Sequence, residues 1–274
     1  MKYKLLIFSL MLAISTQLFS WGGLGHEVIT RLAIDGLPDE MGFMKDNIQY
    51  LCDHSTDPDK RKSEDPAERN KHYIDIDRYE EFNVGEMITD KAELINKYGE
   101  EIVEKMGILP WNTVEVLNNL TIAMKENNKE DILFYAADLA HYVADAHQPQ
   151  HNILNYNGKL TDQRGIHGRY EINLIDSNLV ELQANIPPIK FIHVERPLPF
   201  VFNYCTQSNS FAGLIELADL HALKYSDGEY SEKYFSIFWF KTKYMTFYQF
   251  TNAAKDLASM YYTAWVNAGK PQIK

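Results

Sequence analysis

The chain has 274 residues, of which 45% are hydrophobic and 24% are charged, and its formal net charge is −11. An acidic chain repels long polyanions unless a local group reverses the sign, which disfavours broad electrostatic binding of nucleic acid. Cys52 and Cys205 are its only cysteines. They give no disulfide framework, and the sequence leaves open whether they pair. Because two cysteines cannot build a thiolate zinc site, any metal must be held by His, Asp and Glu.

The first twenty residues, MKYKLLIFSLMLAISTQLFS, place two lysines before an apolar run and end in small and polar residues. This pattern predicts a cleavable secretory signal peptide over residues 1–20. The apolar run is shorter than the roughly 20 residues needed to span a bilayer, so no transmembrane anchor is predicted in the mature chain. We therefore expect residues 21–274 to be exported, to the periplasm or outside the cell.

Helical periodicity dominates the mature chain, and no segment shows a confident strand pattern. A charged loop is predicted at residues 53–71, and four prolines exclude a regular helix from residues 185–200. No linker divides the chain. We predict one all-α, multi-helix domain, a monomer without a stable protein partner. Its helices are predicted at residues 26–37, 39–52, 90–105, 111–125, 131–146, 205–224, 232–242 and 247–268.

The segment HYVADAHQPQH, residues 141–151, combines three histidines with an aspartate. On a helix His141 and Asp145 lie one turn apart, about 40° around the axis, so both side chains can reach one ion. His147 falls about 120° away, which favours a structural role. Pro149 ends the helix, and the turn there frees His151 to come back toward the same cleft.

Three other segments contain similar pairs of residues. GIHGRYE places His167 and Glu171 one helical turn apart, a spacing that lets an imidazole and a carboxylate share an ion. STDPDKR and KHYIDID supply Asp57 and His72, and WGGLGH supplies His26. Asp138, three residues before His141, could orient that imidazole.

These motifs, in this order, resemble the superfamily of bacterial zinc-dependent phospholipases C and single-strand-specific zinc nucleases, across nearly the whole mature chain. The resemblance implies an all-α domain around a trinuclear zinc cleft, in which zinc ions activate water for attack on a phosphodiester. The implied ligands are Asp57, His72 and His141 for one zinc, Trp21 and His26 for a second, Asp145 as a bridge between these two, and His151, His167 and Glu171 for the third.

Two of these assignments carry further expectations. Trp21 would bind through its α-amino group and carbonyl oxygen, so signal cleavage must make it the first residue. Asp57 is preferred over Asp53 and Asp59 because its fifteen-residue distance to His72 equals that of the nuclease pattern. Asp57 is also the expected catalytic residue, accepting or orienting the proton of the attacking water.

The two branches of the superfamily differ in details that this sequence mixes. Glu171 and the sixteen-residue connection from His151 to His167 resemble the phospholipases, whereas the short spacing from Trp21 to His26 resembles the nucleases. The leading hypothesis is an exported phosphodiesterase of phospholipase C type. The alternatives are a single-strand nuclease or nucleotidase, and a zinc-binding protein without catalysis.

Substrate residues are indicated less clearly than the metal ligands. Tyr73 and Asp75 resemble the aromatic residue and acid that the nucleases use to hold a base, although the phospholipases have similar residues there. Leu24 and Pro58 stand where the choline-recognising phospholipases have an acid and an aromatic residue, which disfavours choline.

Overall fold

The computed structural model describes residues 21–273. The predicted signal peptide, residues 1–20, lies outside the described residues. Helices make up 75% of the structure, and no strand occurs between residues 21 and 273. The prediction of an all-α fold is therefore confirmed.

Thirteen α-helices occur within the described chain. Short 3₁₀ segments at Pro66–His72 and Pro149–Asn152 and a π-helix at Arg169–Leu174 connect some of them. The α-helices are α1 (Gly22–Asp35), α2 (Gly42–Asp46), α3 (Ile48–His54), α4 (Asp57–Arg61), α5 (Glu80–Asn83), α6 (Lys91–Tyr98), α7 (Glu100–Lys105), α8 (Leu109–Glu126), α9 (Lys129–His147), α10 (Ile166–Gly168), α11 (Ile175–Ala184), α12 (Pro197–Tyr225) and α13 (Glu232–Asn267).

Helix α9 forms the centre of the fold. It packs against α8, α12, α13, α1 and α3, and every residue from Ala136 to His147 is buried. The helix begins where the Asn128 side chain accepts a hydrogen bond from the backbone of Asp131. It ends before Pro149, whose ring cannot continue a helix. Both histidines of this helix, together with Asp138 and Asp145, are thus placed inside the core, where polar groups need partners.

The long C-terminal helices differ from their predicted bounds. Residues 232–242 and 247–268 form one continuous helix, α13, because the intervening residues stay helical and Thr246 bonds back to the carbonyl oxygen of Thr242. Helix α12 begins at Pro197, eight residues before its predicted start, since proline is well tolerated in the first helical turn. The region before it, residues 187–196, is non-helical, as the prolines predict.

Two other predicted elements are divided. Residues 90–105 form α6 and α7, separated at Gly99, whose φ of 87° favours glycine. Residues 39–52 are broken into a 3₁₀ turn, α2 and α3. The predicted loop at residues 53–71 contains α4 and most of the 3₁₀ segment Pro66–His72. This polar stretch, which the sequence predicts to be a loop, is therefore mostly helical. None of the helices in the described chain is long and apolar enough to cross a membrane.

Candidate metal centre

A histidine and an aspartate one turn apart on α9 form the middle of the site. His141 Nε2 lies 3.2 Å from Asp145 Oδ2, and both side chains are fully buried. His141 Nδ1 donates a hydrogen bond of 2.8 Å to the carbonyl oxygen of Ser55. Because a carbonyl can only accept, this bond places the proton on Nδ1 and leaves the lone pair of Nε2 directed toward Asp145.

One group of possible ligands forms where α4 and the 3₁₀ segment Pro66–His72 meet α9. Asp59 Oδ1 lies 3.6 Å from His72 Nδ1 and 3.7 Å from His141 Nε2. His72 Nδ1 in turn lies 2.8 Å from His141 Nε2 and 3.0 Å from Asp145 Oδ2. Ligand atoms from three separate elements therefore share one small buried volume.

The aspartate in this group is Asp59 rather than the predicted Asp57. Asp57 is 33% exposed, lies 2.5 Å from His54 Nδ1, and accepts a hydrogen bond of 2.6 Å from Lys60. Residues two apart on a helix point about 200° away from each other, so the two carboxylates of α4 face opposite sides. Only Asp59 faces the buried histidines.

A second group adds His26, from α1. Its ring stacks on that of His141, with centroids 4.3 Å apart and planes 6° from parallel. Its Nε2 lies 3.4 Å from Asp145 Oδ1. Neither ring nitrogen of His26 has a hydrogen-bond partner among residues 21–273. Burial and the neighbouring His141 lower the pKa of His26, which keeps the ring in the neutral form that binds a metal ion.

The third group lies beyond the end of α9, where the chain turns at Pro149. His151 comes back beside the pair, as the sequence predicts, and its Nδ1 donates a hydrogen bond of 2.6 Å to the carbonyl oxygen of His72. Its Nε2 lies 3.7 Å from Glu171 Oε2, and His167 Nε2 lies 2.9 Å from Glu171 Oε1. Burial opposes ionisation of Glu171, but the two imidazoles lower its pKa to about 2.

Asp145 lies where the groups meet. Its Oδ1 faces His26, and its Oδ2 faces His72 and His141. Burial opposes its ionisation, but His141 and His151 hold the pKa of this carboxyl well below its usual value. One ionised carboxylate thus presents its two oxygens to different sets of histidines, which is the geometry expected of a bridging ligand.

Trp21 is fully buried beside the third group. Its backbone nitrogen lies 3.3 Å from Glu171 Oε2, and its indole Nε1 donates a hydrogen bond of 2.6 Å to the carbonyl oxygen of Ala144. The ring also contacts Phe250 edge-on, with centroids 4.6 Å apart. The structure therefore places the main chain of Trp21 beside the candidate ligands of the third group. That Trp21 and His26 bind one zinc ion together stays a prediction.

Two other polar residues of α9, His147 and Asp138, lie outside the groups. His147 donates from Nδ1 to the carbonyl oxygen of Val143, and its Nε2 lies 3.1 Å from Asp256 Oδ2. It has the structural role that its position around the helix predicts. Asp138 accepts a hydrogen bond of 2.7 Å from Arg61, so its own partner is a guanidinium group.

Sequence reasoning missed two buried residues that contact the candidate ligands. Glu68 Oε1 lies 3.5 Å from His72 Nε2 and accepts a hydrogen bond from the Tyr142 hydroxyl. Gln148, the residue after α9, donates a hydrogen bond of 3.1 Å to Glu171 Oε2. Glu68 precedes His72 by four residues, the same spacing that drew attention to the other pairs. No comparable signal marks Gln148.

A cleft of about 510 Å³ opens beside the first and third groups. Its wall combines candidate ligands with two cations and several apolar side chains. The residues that line it are Asp59, Lys62, Ser63, Arg69, His72, Tyr73, Asp75, Gln150, His151, Ile153, Leu154, Tyr156 and His167.

Both predicted substrate residues line this cleft. The backbone of Asp75 donates a hydrogen bond of 2.7 Å to the carbonyl oxygen of Met106. Gly107, the residue after Met106, must be a glycine, because its φ is 89° and a Cβ there would lie 2.1 Å from the carbonyl oxygen of Tyr73. Burial and the nearby Asp77 raise the pKa of Asp75 to about 7.

The fold and the site together define an all-α protein with buried groups of histidines and carboxylates that could hold metal ions. The family model for zinc dependent phospholipase C matches residues 25–210. The match covers more than half of the chain, and the protein belongs to this family. Every candidate ligand except Trp21 lies within the matched range. Membership supports a phosphoric ester hydrolase of phospholipase C type. A search of curated proteins finds no match.

The side chains present fit zinc, which takes imidazole nitrogens and carboxylate oxygens at about 2.0–2.2 Å. Two such ligands of a tetrahedral ion lie about 3.3–3.6 Å apart. The measured separations among Asp59, His72, His141 and Asp145 run from 2.8 to 3.7 Å. Three groups with ligand atoms this close occur in the described part of the chain.

Proposed function

We propose that the protein is an exported phospholipase C that hydrolyses the phosphodiester bond of phospholipids and uses three zinc ions. The observation that carries the proposal is the arrangement around Asp145. Three buried ligand groups adjoin there, beside a cleft with apolar and cationic walls, in a member of the zinc dependent phospholipase C family.

The proposed ligands follow the three groups. Asp145 is shared because each of its oxygens faces different histidines. The assignment is Asp59, His72 and His141 for the first ion, His26 with the α-amino group and carbonyl oxygen of Trp21 for the second, Asp145 for both of these, and His151, His167 and Glu171 for the third.

The chemistry divides between the ions and the side chains. Zinc supplies a Lewis acid that lowers the pKa of water and polarises a phosphoryl oxygen. Asp59 lines the cleft and takes the catalytic role predicted for Asp57, accepting or orienting the proton of the attacking water. Lys62 Nζ lies 2.5 Å from Asp59 Oδ1, so it brings a cation to the place where the phosphate would lie.

The walls of the cleft support a lipid substrate. Ile153, Leu154 and Tyr156 provide apolar surface beside the candidate ligands, while Lys62 and Arg69 carry positive charge. A diacylglycerol phosphoester has this combination of an apolar body and an anionic centre. Zinc ions held by the three groups would add positive charge beside the cleft, which would let an acidic chain attract a phosphodiester.

Export is the part of the proposal that depends on residues 1–20. Cleavage after Ser20 would release the amine of Trp21, which the proposed second zinc requires. Export is to the periplasm or outside the cell, and no stable protein partner is needed for the proposed reaction.

The proposal is tested with protein whose first residue is Trp21. Phosphatidylcholine, phosphatidylethanolamine and single-stranded DNA are supplied separately, and phosphorylated products are measured with and without a zinc chelator. We expect zinc-dependent release of a phosphorylated head group from at least one lipid. Hydrolysis of DNA alone would contradict the proposal.

One observation favours a nuclease or nucleotidase as the second candidate. Tyr73 and Asp75 both line the cleft beside His72, where an aromatic ring and an acid could stack on and hydrogen-bond a base. One variant separates the two functions, because Asp75→Asn should impair hydrolysis of DNA more than that of lipid if a base binds there. A zinc-loaded protein that hydrolyses neither substrate would indicate zinc binding without catalysis.

A further inference from the structure

The loop at residues 153–165 joins two candidate ligands, His151 and His167, and we call it the rim loop. It carries three apolar side chains that are largely exposed: Leu154 at 41%, Tyr156 at 50% and Leu160 at 68%. Apolar groups gathered in this way at the mouth of a cleft indicate a surface that contacts something other than water.

The rim loop continues the wall of the cleft to the surface of the protein. Leu154 and Tyr156 line the cleft and are at the same time exposed. Tyr156 meets the ring of His167 edge-on, with centroids 5.6 Å apart. An apolar wall therefore runs from the third ligand group to the exposed part of the loop, and the backbone of Leu160 is bonded to Asn155, between Leu154 and Tyr156.

The loop is held in this shape by polar contacts. Asn155 Oδ1 accepts from the backbone of Leu160 at 2.8 Å, and Asn155 Nδ2 donates to Glu216 at 2.6 Å. Gln163 Nε2 donates to the carbonyl oxygen of Glu216 at 2.8 Å. Gly158 has a φ of 68°, and a Cβ there would lie 2.5 Å from the carbonyl oxygen of Gln163. These bonds tie the loop to itself and to Glu216.

The charge of the rim loop differs from that of the chain. Lys159 and Arg164 outnumber its one acid, Asp162, whereas the chain as a whole carries a net charge of −11. Both cations are exposed, and Lys159 directly precedes Leu160 in the chain. Apolar groups flanked by cations suit the interface of a lipid bilayer, where acyl chains meet phosphates.

We propose that the rim loop rests on the surface of a phospholipid bilayer, with Leu160 inserted among the lipids and the cleft mouth facing the head groups. The inference rests on the proposed function, because the cleft must take its substrate from that surface. Continuity of the loop with the cleft and its local positive charge both favour a lipid surface over a second copy of this chain.

The test measures partitioning of zinc-loaded Leu160→Asp onto vesicles. The vesicles contain equal parts of phosphonate analogues of phosphatidylcholine and phosphatidylethanolamine, in which a carbon–phosphorus bond replaces the bond to be cleaved. Val180→Asp is the matched control, because Val180 is 83% exposed and is not among the residues that line the cleft. We expect Leu160→Asp to bind about tenfold more weakly than wild type and Val180→Asp to bind as wild type does.

A second measurement separates this inference from the proposed function. A short-chain phosphatidylcholine and phosphatidylethanolamine, held below their critical micelle concentrations, replace the vesicles as substrates. We expect Leu160→Asp to hydrolyse these monomers at the wild-type rate and natural lipid vesicles about tenfold more slowly.

Several outcomes would overturn the inference. Equal vesicle binding by wild type and Leu160→Asp would exclude the proposed contact, as would absence of binding by wild type. A wild-type dimer that becomes monomeric in Leu160→Asp would assign the surface to self-association. If instead no lipid is hydrolysed in any form, the proposed function fails, while partitioning onto the phosphonate vesicles still reports on the rim loop.

Discussion

Glu68 and Asp145 lie on opposite sides of one imidazole: Glu68 Oε1 is 3.5 Å from His72 Nε2, and Asp145 Oδ2 is 3.0 Å from His72 Nδ1. The ring is therefore held between two carboxylates. Burial opposes ionisation of Glu68, but hydrogen bonds with His72, Tyr142 and Lys71 keep its pKa below the usual value. An ionised Glu68 favours a proton on Nε2 and leaves Nδ1 for a metal ion.

Glu68→Gln is expected to weaken zinc binding about 10- to 100-fold, because an amide cannot hold the proton of His72 as a carboxylate does. The measurement is a competition titration with a zinc chelator of known affinity. Glu64→Gln, an exposed change four residues earlier, is the control. Equal zinc affinity in wild type and Glu68→Gln would contradict a positioning role for Glu68.

Asp145→Asn is expected to lower the zinc content of correctly cleaved protein from three ions to one. Both oxygens of Asp145 face histidines of the first two groups, and an amide replaces one ligand oxygen with a donor. Elemental analysis of dialysed protein gives the count. Asp256→Asn, beside the structural His147, should retain all three ions. An unchanged count in Asp145→Asn would refute the bridge.

Asp59→Asn and Asp57→Asn are expected to differ sharply in activity. Asp59 faces the buried histidines, whereas Asp57 bonds to His54 and Lys60 at the surface. Loss of a catalytic carboxylate typically costs about 10²- to 10⁴-fold, so kcat/KM should fall by this amount in Asp59→Asn and change little in Asp57→Asn. The reverse order would restore the assignment predicted from the sequence spacing.

Protein with one additional alanine before Trp21 is expected to bind two zinc ions rather than three. The added residue converts the α-amino group into an amide, which is a poor ligand, at a buried position 3.3 Å from Glu171. Metal content is compared with that of protein beginning at Trp21. Three ions in both proteins would show that the amine is not a ligand.

Asp75→Asn is expected to change how stability depends on pH. The folded-state pKa of Asp75 is raised to about 7 from 3.8, so between these values the folded protein retains a proton that the unfolded chain releases. Stability therefore falls as pH rises through this window and levels off above it. The variant lacks this loss, and its Tm should exceed that of wild type increasingly from about pH 4 to pH 7. Parallel Tm curves would contradict the raised pKa.

The sequence predicts the parts of the site that depend on short-range geometry. His141 and Asp145 are one turn apart on α9, and helical periodicity alone brings this pair together. His167 and Glu171 also meet, across the junction of α10 and the π-helix. The return of His151 follows equally from the turn that Pro149 imposes. The all-α class follows from the same periodicity.

Other features depend on tertiary packing, which sequence spacing does not reveal. Asp57 and Asp59 have similar sequence contexts, and only the packing of α4 against α9 determines which of them faces the histidines. Glu68 comes from a stretch predicted to be a loop. The continuity of α13 across residues 243–246 arises in the same way, because a long helix packed on α9 and α12 gains from staying unbroken.

Because α9 is buried from Ala136 to His147, we expect metal binding and folding of this chain to be coupled. Without ions, the Nε2 of His141 and the carboxylate of Asp145 would have to be desolvated inside the core facing other candidate ligands, a cost that bound metal would offset. A substitution in this helix should therefore alter thermal stability and metal content together. The apolar residues of the cleft wall, Ile153, Leu154 and Tyr156, lie outside this helix, so substrate preference can change without altering the metal-facing residues of α9.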